Sequence, residues 1–173
     1  MNRITRVLLT TLLLLPAMTF AQQVKETMVK KGKEKVPAFT VKYKHSKSLT
    51  RATVKESITE AGIKHIKHKK GFFTFKGAEW QTISTNKLDY YYKVTGNKRK
   101  STIHFAVSKG YDNYITPSND ATVADNITRY LETLDGKMAN KEAINDKQEE
   151  LEKIEKAKAK KEKELNKLQT KSK

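Results

Sequence analysis

The sequence predicts the α+β class: a small two-layer domain with an antiparallel or mixed sheet, two helices on one face, and a long C-terminal helix. Three observations carry that expectation. Short segments alternate apolar and polar residues, and two of them flank a Gly-Asn turn signal, so they read as strands. Two longer segments repeat apolar residues every three or four positions, as amphipathic helices do. From Asn140 onward there is neither Gly nor Pro, and helix-forming Lys, Glu, Ala, Leu and Gln dominate.

Arg3 and Arg6 precede an apolar run over residues 7–20, which closes on Thr19-Phe20-Ala21. A charged start, an apolar stretch and a small residue at the end are the layout of a secretory signal peptide. The run has about 14 residues where a spanning helix needs about 20. Residues 1–21 are therefore expected to be a removed leader, leaving a periplasmic or secreted chain with no transmembrane segment.

Residues 22–36 are polar, basic and aperiodic, and read as a flexible leader to a domain spanning residues 37–136. Residues 37–44 alternate: Phe39, Val41 and Tyr43 share one strand face, while Thr40, Lys42 and Lys44 take the other. Ser46 and Ser48 are capping candidates for a helix with its stripe at Val54, Ile58 and Ala61, and Gly62 suits its C-terminal cap. A β-α-β start calls for a right-handed crossover with the first two strands parallel.

Residues 63–84 are β-rich. Trp80 is out of phase with Phe73 and Phe75, and a bulge or turn at Gly77 would restore the phase. A short helix over residues 78–84 is the alternative. Residues 88–95 and 98–108 flank Gly96-Asn97, a two-residue hairpin signal. In that register Leu88 opposes Phe105, Tyr90 opposes Ile103 and Asp89 opposes His104. After residues 111–115 comes the Pro117-Ser118-Asn119-Asp120 capping cluster. Val123, Ile127, Tyr130, Leu131 and Leu134 then mark a second helix, expected to end at Asp135-Gly136. The order is β-α-β-β-β-α, with a ferredoxin-like arrangement as the specific candidate.

Residues 137–173 form a Lys/Glu-rich helical tail. Placing seam positions at Ile144, Leu151, Lys158 and Leu165, and at Lys147, Ile154, Lys161 and Leu168, leaves five of eight apolar. Three lysines interrupt the seam, so a solvated or weakly associating helix ranks ahead of a coiled coil or partial disorder. On this reading, removing the tail changes the oligomeric state little. Residues 145–168 would extend roughly 36 Å, as a tether or assembly arm.

The chain has 173 residues, 36 Lys/Arg, 19 Asp/Glu and no cysteine, so disulfides, thiolate metal sites and a lipid-modified cysteine are all excluded. Residues 22–136 hold 22 basic and 11 acidic residues, a net of +11, and residues 137–173 add +4. A field of that sign attracts polyanions and anionic membrane surfaces.

Candidate motifs do not assemble into a catalytic or metal site. His65 and His68 would point to opposite faces of a strand, among lysines that repel a cation. Ser84-Thr-Asn-Lys87 matches S-x-x-K without its companion motifs. Lys70-Gly-Phe-Phe-Thr-Phe75 begins like an RNA-binding aromatic motif, but Phe73 and Phe75 suit a core and export removes cytoplasmic RNA, so nucleic acid is not the expected partner. Asp89 with His104 is the one acid–imidazole pair a hydrolase could use, with no nucleophile beside it. No cofactor is expected.

The run from Phe105 to Asp120, followed by a short amphipathic helix and a Lys/Glu-rich tail, resembles small uncharacterised exported α+β proteins of the Bacteroidota over residues 105–170. The resemblance implies export from a double-membraned cell and nothing about mechanism. The expected function is that of a non-enzymatic cell-envelope protein whose basic domain binds an anionic partner: a glycan, lipopolysaccharide or acidic protein. The candidate contacts are Lys64, Lys67, Lys69, Lys70, Tyr91, Lys93 and Lys100. The alternative is an assembly module acting through the C-terminal helix.

Overall fold

The computed structural model describes residues 23–64, 66–69 and 71–171. The expected leader peptide, His65 and Lys70 lie outside the described residues. Among the described residues are six strands and two helices: β1 (Lys25–Lys31), β2 (Glu34–Tyr43), α1 (Lys47–Glu60), β3 (Lys67–Lys69), β4 (Phe72–Trp80), β5 (Ser84–Gly96), β6 (Ser101–Ser108) and α2 (Ala121–Lys171). The class is α+β, with one sheet in the order β1-β2-β6-β5-β4-β3.

Every neighbouring pair is antiparallel. The parallel pair expected from a β-α-β crossover is absent, and with it the ferredoxin-like arrangement. The reason lies at the N-terminus. Residues 25–31, expected to be flexible leader, form an edge strand paired to β2 through a Gly32-Lys33 turn. Gly32 has φ +70°, as the first central residue of a type II′ turn requires. Strand β6 occupies the other side of β2, so α1 carries the chain across the helical face to the far edge at β3.

The helices cap as their sequences direct. The Ser46 hydroxyl accepts from Leu49 N at 3.1 Å. At the other end of α1, Gly62 N donates to Thr59 O and Ile63 N to Ile58 O, the paired bonds of a Schellman motif. Asp120 caps α2, accepting from Val123 N at 3.2 Å. Lys109 lies 2.9 Å from the same carboxylate, and these bonds hold its pKa below the usual aspartate value.

Helix α2 does not stop at Gly136. Met138 is fully buried two residues on, donated to by the Thr50 hydroxyl, and the following turns are tied to the domain. Lys137 pairs with Glu60 and Lys141 with Glu56 of α1. His45 lies between Asp135 at 3.2 Å and Glu142 at 2.9 Å. Glycine inside a helix costs about 1 kcal/mol relative to alanine, less than these contacts supply. The expected break between domain and tail is therefore a continuous helix of 51 residues.

The main core lies between the sheet and both helices. It joins Phe39, Val41 and Tyr43 of β2, Val54 and Ile58 of α1, Tyr90 and Tyr92 of β5, Phe105 of β6, and Ile127, Tyr130 and Leu134 of α2. Two helices on one face is the layout the sequence predicts. Trp80 also joins this core, because the register of β4 against β5 shifts between Phe75 and Ala78. Gly77, φ +57°, provides that bulge, and no helix forms over residues 78–84. The β5–β6 register differs from expectation: Tyr92 opposes Phe105 and Val94 opposes Ile103 across a four-residue loop. Asn97 Oδ1 accepts from the amides of Arg99 and Lys100, and this side-chain turn sets the longer loop.

Candidate functional site

The pleat sends alternate residues to the face without helices. There stand Val29 and Lys31 of β1, Val36, Ala38 and Thr40 of β2, His104 and Ala106 of β6, Asp89, Tyr91 and Lys93 of β5, Phe72, Thr74 and Lys76 of β4, and Lys67 and Lys69 of β3. A second apolar cluster of Val36, Ala38, Phe72, Tyr91, Ala106 and Tyr114 occupies its middle. Lys31 Nζ lies 3.9 Å from the centroid of the Tyr91 ring, and it donates to the Tyr114 hydroxyl. In a flat sheet β1 and β5 would be about 14 Å apart, further than a lysine reaches. The face is therefore concave, and its two edges approach each other.

Between the edges lies a cavity of about 610 Å³. Lys31, Lys67, Lys69 and Lys76 line it together with Glu34 and Asp112, and Phe72, Phe75, Thr74 and Tyr91 contribute the rest of the wall. An adjoining hollow of about 420 Å³ shares Lys76, Tyr91 and Asp112 and runs on to Tyr111. Tyr111 is fully exposed on a loop where it and Asp112 have φ of 51° and 59°, an uncommon conformation for residues with side chains.

Asp89 organises one wall. One carboxylate oxygen accepts from Gly77 N at 2.9 Å, at the bulge. The other meets Lys76 Nζ at 3.5 Å and the Tyr91 hydroxyl at 3.3 Å. Burial raises the pKa of Tyr91, and Asp89 adds to the shift. The pKa of Lys76 is raised by Tyr91 and then by Asp89, so its ammonium stays charged. Farther along the face Thr27, Thr40 and His104 form a chain of polar contacts at 2.6 and 2.9 Å. Burial and then Lys93 lower the pKa of His104, which favours neutral imidazole.

Three of the expected contact residues meet here: Lys67, Lys69 and Tyr91. Lys93 stands on the same face, its ammonium 5.9 Å from the Phe72 centroid. Two do not join them. Lys64 lines a separate shallow hollow beside Gly62 and Glu79, and Lys100 ends the β5–β6 loop. Of these contacts Tyr91 is buried rather than open to solvent. It is 7% exposed, because the curl of the sheet lays Lys31 over it. The expected Asp89–His104 pair is not formed: Asp89 opposes Ser108 and His104 opposes Lys93. Those positions are about 13 Å apart along the strand.

Lys31 and Lys76 escape a reading of the sequence. Lys31 sits in a segment too polar to register as a strand, and its contact with Tyr91 spans 60 positions. A signal for the strand does exist in Gly32-Lys33, a two-residue turn ahead of the alternating residues that follow. Phe75 is core and Phe73 packs against it, stacked 4.9 Å from Tyr92. Neither forms the open aromatic platform of an RNA-binding sheet. Among the described residues no group of three His, Cys, Asp or Glu side chains converges for a metal, and no helix is long and apolar enough to cross a membrane.

Comparison with protein-family models, with curated proteins and with solved structures finds no match to this chain.

Proposed function

We propose that this chain is an exported, non-enzymatic cell-envelope protein whose basic domain binds an acidic glycan in the concave face of its sheet. The observation that carries the reading is the group of four lysines, Lys31, Lys67, Lys69 and Lys76, around one cavity. Ammonium groups at the rim suit carboxylate or sulfate substituents. A volume of about 610 Å³ lies in the ordinary range for a small-ligand site. Export is inferred from Arg3, Arg6 and the apolar run that follows them. Outside the cytosol, acidic polysaccharide is an available polyanion where nucleic acid is not.

The test is titration calorimetry with oligogalacturonate and with a neutral oligosaccharide of equal length, in 50 mM salt. The acidic sugar should bind and the neutral one should not. Lys67→Glu with Lys69→Glu should weaken binding at least tenfold, because both side chains are exposed on the cleft rim. Equal affinity for both sugars, or an unchanged affinity in the double variant, would reject the reading.

The alternative, assembly through the C-terminal helix, draws on the exposed Ile144, Leu151, Ile154 and Leu165.

A further inference from the structure

Past Glu142 the last helix leaves the domain, and from Ala143 to Leu165 every side chain is exposed. Ile144, Leu151, Ile154 and Leu165 are each between 54% and 59% exposed and lie at seam spacing. Apolar side chains repeated on one stripe of a projecting helix are a surface for another helix.

The charge along the same segment says which helix. Residues 140–155 hold six acidic and three basic residues, a net of −3. Residues 156–171 hold seven basic and two acidic, a net of +5. The helix is thus an acidic half followed by a basic half. Two such helices side by side in the same direction would set like charges against like along their whole length. Reversed, each acidic half lies against a basic half, twice over.

We propose that this segment pairs with the same segment of a second copy, antiparallel and directed by charge. With the two-fold axis near residue 156, Ile154 stands opposite Lys158 of the other copy and Leu151 opposite Lys161. A lysine in a seam is tolerated when its stem lies on an apolar neighbour and its ammonium reaches a carboxylate. Glu150, Glu152 and Glu155 are at hand beside those two apolar residues. The lysines that break the seam for a parallel pair thus acquire partners in an antiparallel one. For this reason the proposal departs from the expectation that the tail leaves the oligomeric state unchanged. The overlap of about 29 residues would be about 44 Å long. The attraction is between exposed charges and so falls with salt.

The experiment uses the chain from Gln22 to Lys173. Sedimentation equilibrium at 20–200 µM should show a dimer in 50 mM salt that dissociates to monomer in 500 mM salt. A monomer under both conditions would overturn the proposal, and so would a dimer indifferent to salt. Orientation is read by disulfide trapping, which is clean because the chain has no cysteine. An equimolar mixture of Ile144→Cys and Leu168→Cys chains, oxidised in 50 mM salt, should give the mixed dimer at least fivefold over either like pair. Like pairs in equal or greater yield would mean a parallel or random arrangement and would overturn it.

Discussion

At Asp89 the chain places a carboxylate where a reading of sequence alone looks for an acid to orient a histidine. The fold uses it otherwise. Its oxygens are taken by the Gly77 amide, Lys76 and Tyr91, so it fixes the bulge and one wall of the cleft together. His104 is left beside Lys93 and bonded to Thr40. Its protonation is disfavoured in the fold by burial and by that ammonium. The unfolded chain therefore takes up a proton more readily as pH drops through the ordinary histidine range near 6.5. A group whose folded pKa is depressed stabilises the fold above its unfolded pKa, and that stability is lost as pH falls. Urea unfolding should show a lower midpoint at pH 5 than at pH 7.5. In His104→Asn that difference should shrink, with the two midpoints measured in the same buffer series.

Among the elements, α2 departs most from its local signals. Asp135-Gly136 has the composition of a helix end, yet the helix runs on because Met138, Lys137, Lys141 and Glu142 are all held by the domain. Glycine there has no packing reason, since a β-carbon would meet nothing within 4 Å. Gly136→Ala should therefore raise stability by about 0.5–1 kcal/mol, read as a higher thermal midpoint. A fall would mean that position 136 works as a hinge. Strand β1 shows the opposite case, a segment with modest local preference that forms because β2 offers a free edge. Exposed lysines stand at both sheet margins, Lys25 and Lys30 on β1 and Lys67 and Lys69 on β3, and charge at an edge discourages further strand pairing.

For the molecule as a whole, the charge is arranged in two ways. The domain carries a net positive excess, part of it around the concave face, while the projecting helix is divided end from end. If both proposals hold, an antiparallel pair carries two clefts separated by a shared rod. A long polygalacturonate should then bind more tightly than a short one by tenfold or more, through effective concentration. Raising salt enough to dissociate the pair, or reversing Glu149, Glu150, Glu152 and Glu155 to lysine, should remove the advantage of length. Binding of the short oligosaccharide should survive the reversal, which separates the tail's part from that of the cleft.

Much of this was legible in the order of residues. Periodicity by itself determined which side chains turn toward the helices: Phe39, Val41, Tyr43, Tyr90, Tyr92, Ile103 and Phe105 are all buried there. Ser46 and Asp120 marked the helix starts, and Gly77 marked the bulge that returns Trp80 to the core. These are local matters, decided within a few residues by sterics and hydrogen bonds. Only the tertiary structure decided who stands opposite whom. An alternating strand has a period of two, so pairings displaced by two residues on each side bury the same faces, and the pattern cannot tell Phe105 opposite Leu88 from Phe105 opposite Tyr92. The cleft likewise depends on Lys31 reaching Tyr91 across two intervening strands, a contact set by how the whole sheet curls. Burial is a property each residue carries with it, whereas register and curvature belong to the sheet.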